Sequence, residues 1–271
     1  MKNKVGFIGV GNMASAIILG ITGKKYEAED ISIFDIDENK CAALSEKGIT
    51  VEKSAEDLVK NTEIVFLTVK PGHLNEVLKS IRNAVSAQNI FISVVAGVSS
   101  SYIKEELNNY SLSVVRVMPN TPALLGVGAT AVAFDKNISE ENKQNICDIF
   151  DSVGICRVLD ETQMNEVVSV NGSSPAYAYM FIKALIDGGV KQGIAPDVAK
   201  DLAVQTLLGS VQMVKNSPLS VDDLIKAVCS PKGTTLEAVR VLTENDFEET
   251  IIKAMEACTK RTRELEGEIK E

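Results

Sequence analysis

The residues best placed to do chemistry stand near the start of the chain. Gly9-Val10-Gly11-Asn12-Met13-Ala14 follows the apolar run Val5-Gly6-Phe7-Ile8 and leads at once into a helical pattern. A G-x-G-x-x-A loop between strand and helix is a cradle for a pyrophosphate. Gly9 permits the tight turn, Gly11 lets the backbone approach the phosphates, and Ala14 is small enough for close helix–strand packing. Asn12 and Met13 open the helix, where unpaired N–H groups and the helix dipole face negative charge. Asp35 ends the next apolar run, Ile31-Ser32-Ile33-Phe34. It lies about twenty residues past the loop, where a carboxylate would bind adenosine ribose hydroxyls. A carboxylate there repels a 2′-phosphate, so NADH is favoured and NADPH remains possible. The other reading of Asp35 is an N-cap of the following helix, with Asp37 and Glu38 as rivals. No Arg or Lys follows Asp35 until Lys40, so an obvious 2′-phosphate clamp is missing.

Two further strand ends carry turn residues. Val69-Lys70-Pro71-Gly72 closes one apolar run, and Val95-Ala96-Gly97 closes another. Strand ends on this edge of an open α/β sheet border the ligand crevice, so Val69, Lys70, Pro71, Ala96 and Gly97 are cofactor-side candidates. A plain strand-to-helix turn is the competing reading of each. The single histidine, His73, reads better as a loop residue than as a catalyst. No spacing of His, Cys and carboxylates suggests a metal site. No G-x-S-x-G elbow suggests a serine hydrolase. Hydride chemistry remains.

These residues need elements to hold them. Six continuous, β-branched apolar runs begin near residues 5, 31, 64, 90, 113 and 129, with helical stretches between the early ones. Continuous rather than alternating apolarity marks a mostly parallel sheet covered on both faces. Beyond about residue 160 only helices are predicted, over 161–189, 197–215, 222–229, 236–244 and 246–263. Pro175 is expected to start or kink one of them. The stretch Tyr177-Ala178-Tyr179-Met180-Phe181-Ile182 continues apolar on nearly every face to Ile186, which predicts a helix buried on all sides. The expected fold is α/β: an N-terminal Rossmann-type doubly wound sheet over residues 1–160, then a C-terminal all-helical substrate-binding and dimerisation domain over 161–271. So thin and apolar a helical domain calls for a partner copy, at least a homodimer.

Bulk properties fit this picture. The 271 residues are 45% hydrophobic and 24% charged, with a formal charge of −9. That balance suits a globular protein and argues against nucleic-acid partners, which need a basic face. Cys41, Cys147, Cys156, Cys229 and Cys258 are scattered and odd in number, as expected of reduced thiols. Met1-Lys2-Asn3-Lys4 runs straight into a strand pattern, and no apolar run is long enough to span a bilayer. A cytoplasmic protein without membrane association is expected.

Further segments carry a resemblance. The chain resembles pyrroline-5-carboxylate reductases over essentially its whole length. The matching pieces are the 9–14 loop, Val69-Lys70-Pro71, Val95-Ala96-Gly97-Val98 and Arg116-Val117-Met118-Pro119-Asn120-Thr121-Pro122. In the helical part they are Gly172-Ser173-Ser174-Pro175-Ala176-Tyr177, Ser230-Pro231-Lys232-Gly233-Thr234-Thr235 and Arg261-Thr262-Arg263-Glu264-Leu265. The resemblance implies hydride transfer from NAD(P)H to the C=N bond of 1-pyrroline-5-carboxylate, giving L-proline in amino-acid biosynthesis. It implies that Ser230 and the backbone amides of Gly233, Thr234 and Thr235 hold the substrate carboxylate. It also implies that the Thr235 hydroxyl, the catalytic candidate, meets the ring nitrogen. Capping of the following helix by Ser230 and Thr234 could coexist with that role. Glu161 matches an acidic position near the substrate, and a helix N-terminal carboxylate explains it as well. Asn171 and Ser173 lie at the kink, with local helix-end hydrogen bonding as their plainer reading.

Three departures stand out. Lys232 replaces the family's usual glycine, which would strain the chain if that position needs positive φ. Asn171 and Ser174 replace a serine and a glycine. Asp35-Ile36-Asp37 stands where users of NADPH often have a small polar residue and an arginine. Two alternatives therefore stay open: a reductase of another cyclic imino acid, and a dinucleotide-binding regulatory paralogue that has lost catalysis.

Overall fold

The structure is a computed structural model that describes residues 4–270. The six anticipated strands form: β1 (Val5–Ile8), β2 (Ile31–Phe34), β4 (Ile64–Leu67), β5 (Ile90–Ser93), β6 (Ser113–Met118) and β7 (Gly128–Phe134). Two short ones were not anticipated, β3 (Thr50–Val51) and β8 (Gly154–Val158). β3 has only two residues, and Ile155, Arg157 and Val158 of β8 are exposed, so neither produces a buried apolar run. One sheet results, in the order β3-β2-β1-β4-β5-β6-β7-β8, with β6 and β7 antiparallel and every other pair parallel.

Helices cover both faces. They are α1 (Asn12–Ile21), α2 (Glu38–Ser45), α3 (Ala55–Asn61), α4 (Pro71–Ile81), α5 (Ser100–Glu106) and α6 (Glu140–Asp151). Successive strand residues point to opposite faces. Phe7, Ile33, Phe66 and Ile92 pack with Ile17, Ile18 and Phe150 on one face. Ile8, Val65, Leu67 and Phe91 pack with Leu58, Leu74 and Ile103 on the other. Two buried faces explain the unbroken apolar runs. Phe66 stacks on Phe7 with ring centroids 4.3 Å apart and meets Phe150 edge-on at 6.1 Å.

The helix expected over 161–189 forms in three pieces: a 3-10 turn (Glu161–Gln163), a π-helical turn (Val168–Gly172) and α7 (Ser174–Lys191). Ser173 N–H donates to Val168 O at 2.8 Å, the wide i→i+5 bond of the π turn. Pro175 then sits at the second position of α7, where its missing N–H costs nothing. Downstream lie α8 (Pro196–Asn216), α9 (Val221–Val228), α10 (Thr234–Glu244) and α11 (Phe247–Lys270).

The chain divides into two compact units. One holds the chain up to Ser173 and again from Ala257 onward; the other is Ser174–Glu256. The compact units thus part at Ser173/Ser174, somewhat beyond the change in sequence pattern at 160/161. Met164 and Val168 are buried against Met118, Ala131 and Ala133 of the sheet, and Cys258 of α11 joins that cluster. Arg263 pairs with Glu166, and Thr262 is buried. These contacts bind both segments to the first unit. The exposure of α7 follows the same division. Its apolar faces call for a partner copy to bury them, and within this chain none of its residues is buried, with Met180 72% exposed. α8 buries only Ala199 and Ala203.

Candidate cofactor cleft and substrate loop

A cleft of about 550 Å³ opens at the carboxyl ends of β1, β2 and β4, bordered by Gly9, Gly11, Asp35, Val69, Lys70 and His73 among others. The glycines have distinct geometries. Gly9 has φ +96°, and a Cβ there would lie 2.9 Å from the Thr68 backbone. Around Gly11 a Cβ would meet nothing within 4 Å, so open space faces the loop. Gly11 is the N-cap of α1 and no side chain bonds its first turn. Ala14 is fully buried, bringing α1 close to the sheet, while Asn12 is exposed and Met13 half-buried. This combination fits a dinucleotide pyrophosphate: a tight turn, an open approach and uncapped N–H groups. Thr68 braces the loop, its hydroxyl donating to Ile8 O at 3.0 Å and Gly9 O at 2.6 Å. Nothing in the spacing of Thr68 marked it for that role.

Asp35 is held firmly. Its Oδ2 accepts from Val10 N–H at 2.7 Å and its Oδ1 from Asp37 N–H at 2.9 Å. Lys40 Nζ lies 3.4 Å from Oδ1 and 3.9 Å from Asp37 Oδ2. Burial pulls the Asp35 pKa upward, but the two backbone hydrogen bonds and Lys40 outweigh it, leaving the carboxyl below its ordinary value. The N-cap of α2 is Asp37, whose carboxylate accepts from Asn39 N–H. Asp35 is therefore left to brace the glycine loop and face the cleft.

Other candidates sit in different company. Ala96 and Gly97 do not line the cleft. Gly97 has φ +72°, and a Cβ there would approach Thr262 O to 2.9 Å, so this glycine admits the backbone of α11. Glu161 reaches α5: Oε1 accepts from Ser100 N–H at 2.8 Å and Oε2 from Ser100 Oγ at 2.7 Å. It also faces the buried Arg116, 3.6 Å away. Burial lowers the Arg116 pKa, and Glu161 and Glu266 oppose the shift. Arg116 donates to Asn165, which donates to Glu266 of α11. Asn171 Nδ2 donates to Met118 O at 2.6 Å and Ala129 O at 2.9 Å, tying the π turn to two strands rather than to its own helix end. Ser173 Oγ lies 3.2 Å from Cys258 Sγ. These long-range pairs left no trace in local spacing.

In the second unit, residues 230–235 form a turn leading into α10. Gly233 N–H donates to Ser230 O at 2.9 Å, closing a four-residue turn. Pro231 occupies its second position and Lys232, with φ +61°, its third. That is the pattern of a type II turn, whose third position favours glycine. Lys232 therefore bears the anticipated strain. A Cβ on Gly233 would come within 2.9 Å of the Ser230 backbone carbonyl oxygen, a close approach that favours glycine there. Gly233 is the N-cap of α10 and no side chain caps the helix. Capping by Ser230 or Thr234 is thus not what this loop does. The helix start, with Thr234 exposed and Thr235 half-buried, presents donors suited to a carboxylate.

Among the described residues no group of three or more His, Cys, Asp or Glu is arranged to hold a metal ion. No helix among them is long and apolar enough to cross a membrane.

Comparison with known proteins agrees with this geometry. Residues 161–265 match the family model for pyrroline-5-carboxylate reductase dimerisation, and residues 4–97 that for NADP oxidoreductase, coenzyme F420-dependent. The pyrroline-5-carboxylate reductase of Escherichia coli (strain K12) is 36% identical over 98% of this chain and 99% of its own length. Pyrroline-5-carboxylate reductase 2 of Homo sapiens is 35% identical over 97% of this chain and 84% of its own. The crystal structure of Plasmodium falciparum pyrroline carboxylate reductase with NADP bound superposes with a TM-score of 0.89 at 31% identity, covering 98% of this chain and 99% of that one. Identity at this level along nearly the whole chain, over a matching fold, means that the chain belongs to the pyrroline-5-carboxylate reductase family.

Proposed function

We propose that this protein reduces the C=N bond of 1-pyrroline-5-carboxylate to give L-proline, at the expense of NAD(P)H. The observation that carries the reading beyond family membership is the uncapped start of α10 in the 230–235 loop. The backbone N–H groups of Gly233, Thr234 and Thr235, with the Ser230 hydroxyl, hold the substrate carboxylate. The Thr235 hydroxyl bonds the ring nitrogen and orients the imine carbon. A cyclic imine enters protonated, so its own N–H proton stays on nitrogen and no separate acid is needed. The bound dinucleotide supplies the hydride. The protein contributes alignment, and alignment is the larger part of the catalysis.

The first unit holds the dinucleotide. Gly9, Gly11, Asn12, Met13 and Ala14 cradle the pyrophosphate. Asp35 takes the adenosine ribose hydroxyls, which favours NADH. Val69, Lys70 and Pro71 border the cofactor at the end of β4, while Ala96 and Gly97, which lie outside the cleft, act only by holding the next strand end against α11. Glu161 acts indirectly, by positioning α5. The working form is a homodimer built through the exposed apolar faces of α7 and α8, and the five free thiols suit a reducing cytoplasm.

A steady-state assay with 1-pyrroline-5-carboxylate and each dinucleotide tests this. Oxidation of NADH in excess over NADPH is expected. Failure of a folded sample to oxidise either dinucleotide refutes the proposed reaction. Lys232 supports one second reading, a different cyclic imino acid as substrate, because it puts a cation and a strained backbone into the loop. Better turnover of another imino acid in the same assay would favour it.

A further inference from the structure

The cleft contains a cation in an unexpected place. β2 and β4 flank β1 on opposite sides, so their following segments form opposite walls of the cleft. Lys70, at the head of α4, belongs to the β4 wall. Lys40, in the first turn of α2, belongs to the β2 wall and stands beside Asp35. The two carboxylates that Lys40 faces are Asp35 and Asp37, at 3.4 and 3.9 Å. Both contacts are long and the Lys40 side chain is 48% exposed, so neither holds it strongly. Asp35, by contrast, is anchored by the N–H groups of Val10 and Asp37 and keeps its place without Lys40.

We propose that Lys40 is the specificity residue through which this chain admits a 2′-phosphorylated dinucleotide. The inference rests on the cofactor reading given above. With the ribose at Asp35, a 2′-phosphate would enter the space that Lys40 now shares with that carboxylate. Lys40 then turns from Asp35 to the phosphate. One cation offsets part of the repulsion, so discrimination against NADPH becomes graded rather than absolute. The task needs a cation on a long, mobile stem, which Lys40 supplies.

Equilibrium binding separates this from a purely structural role. NADH, NADPH and adenosine 2′,5′-bisphosphate are titrated by calorimetry into the wild type, Lys40→Gln and Lys40→Arg. Loss of a charge-assisted contact to phosphate is worth about tenfold. Lys40→Gln is therefore expected to raise the ratio of the NADPH to the NADH Kd by about that factor, and to weaken adenosine 2′,5′-bisphosphate in parallel. Lys40→Arg should restore the ratio. In the wild type, added salt should weaken NADPH more than NADH. An equal change in both Kd values on Lys40→Gln, or no change in either, overturns the assignment while leaving the cofactor site standing. A folded wild type that binds neither dinucleotide overturns the site itself and the assignment with it.

Discussion

Phe66 and Met180 mark the contrast between the two units. Phe66 lies on a central strand, fully buried, stacked on one ring and met edge-on by another. Met180 is as apolar, on a helix of equal regularity, and is 72% exposed. The first unit covers its central strands on both faces with its own helices, so the core of that sheet is sealed inside one chain. In the second, α7, α9 and α10 bury nothing, and α8 only two alanines. Helices this apolar carry the information for a core without enclosing one. The family model that covers this region is named for dimerisation, and the physics asks for the same thing. The first unit thus closes its core within its own chain, and the second leaves its apolar faces open within it.

Four experiments break or sharpen this contrast. The largest effect is expected in the sealed core: Phe66→Ala should cost about 3–5 kcal/mol in urea unfolding of the first unit. A loss under about 1 kcal/mol would show that the stack bears little of the stability. Next, the units should differ in chemistry. Thr235→Ala should lower kcat about a hundredfold with dinucleotide Kd unchanged, as for removal of one donor that aligns the reacting group. A defect confined to dinucleotide binding would detach Thr235 from the substrate. Third, Met180→Glu should weaken self-association by about 2 kcal/mol, measured by light scattering across a concentration series. A wild type that is monomeric at micromolar concentration would remove the reason for the exposed helices. The smallest effect is at the strained turn. Lys232→Gly relieves an αL penalty of about 1 kcal/mol but returns entropy to the unfolded chain, so a net gain of about 0.5 kcal/mol is expected in thermal unfolding. A fall in Tm would mean that Lys232 makes a compensating contact.

Much of the geometry of the cleft was legible because it is local. The turn at Gly9, the open face of Gly11 and the helix start at Asn12 all follow from six consecutive residues between a strand and a helix. The apolar runs were legible because both faces of the sheet are covered, which removes any ambiguity of register. The short strands β3 and β8 escaped because edge strands with exposed side chains carry no such pattern. The 230–235 loop was recognised by resemblance, and its departure at Lys232 was visible, but a sequence carries no φ angle.

On its own, then, the amino-acid sequence determined the α/β class, the glycine turn between β1 and α1, Asp35 at the second strand end and the absence of strands among the described residues from Pro175 onward. Each depends on neighbours within a few residues, where sterics and hydrogen bonding act directly. Only the tertiary structure decided which of several uses each polar residue serves. It gave the N-cap to Asp37 and the loop brace to Asp35, and it set Lys40 beside that carboxylate. It turned Glu161 toward Ser100 and Arg116, and joined Asn171 to Met118 and Ala129 across more than forty residues. Gly97 was made room for a helix more than 160 residues away. Such pairings form wherever a buried polar group finds its partner, and burial is a property of the folded chain, not of the local segment.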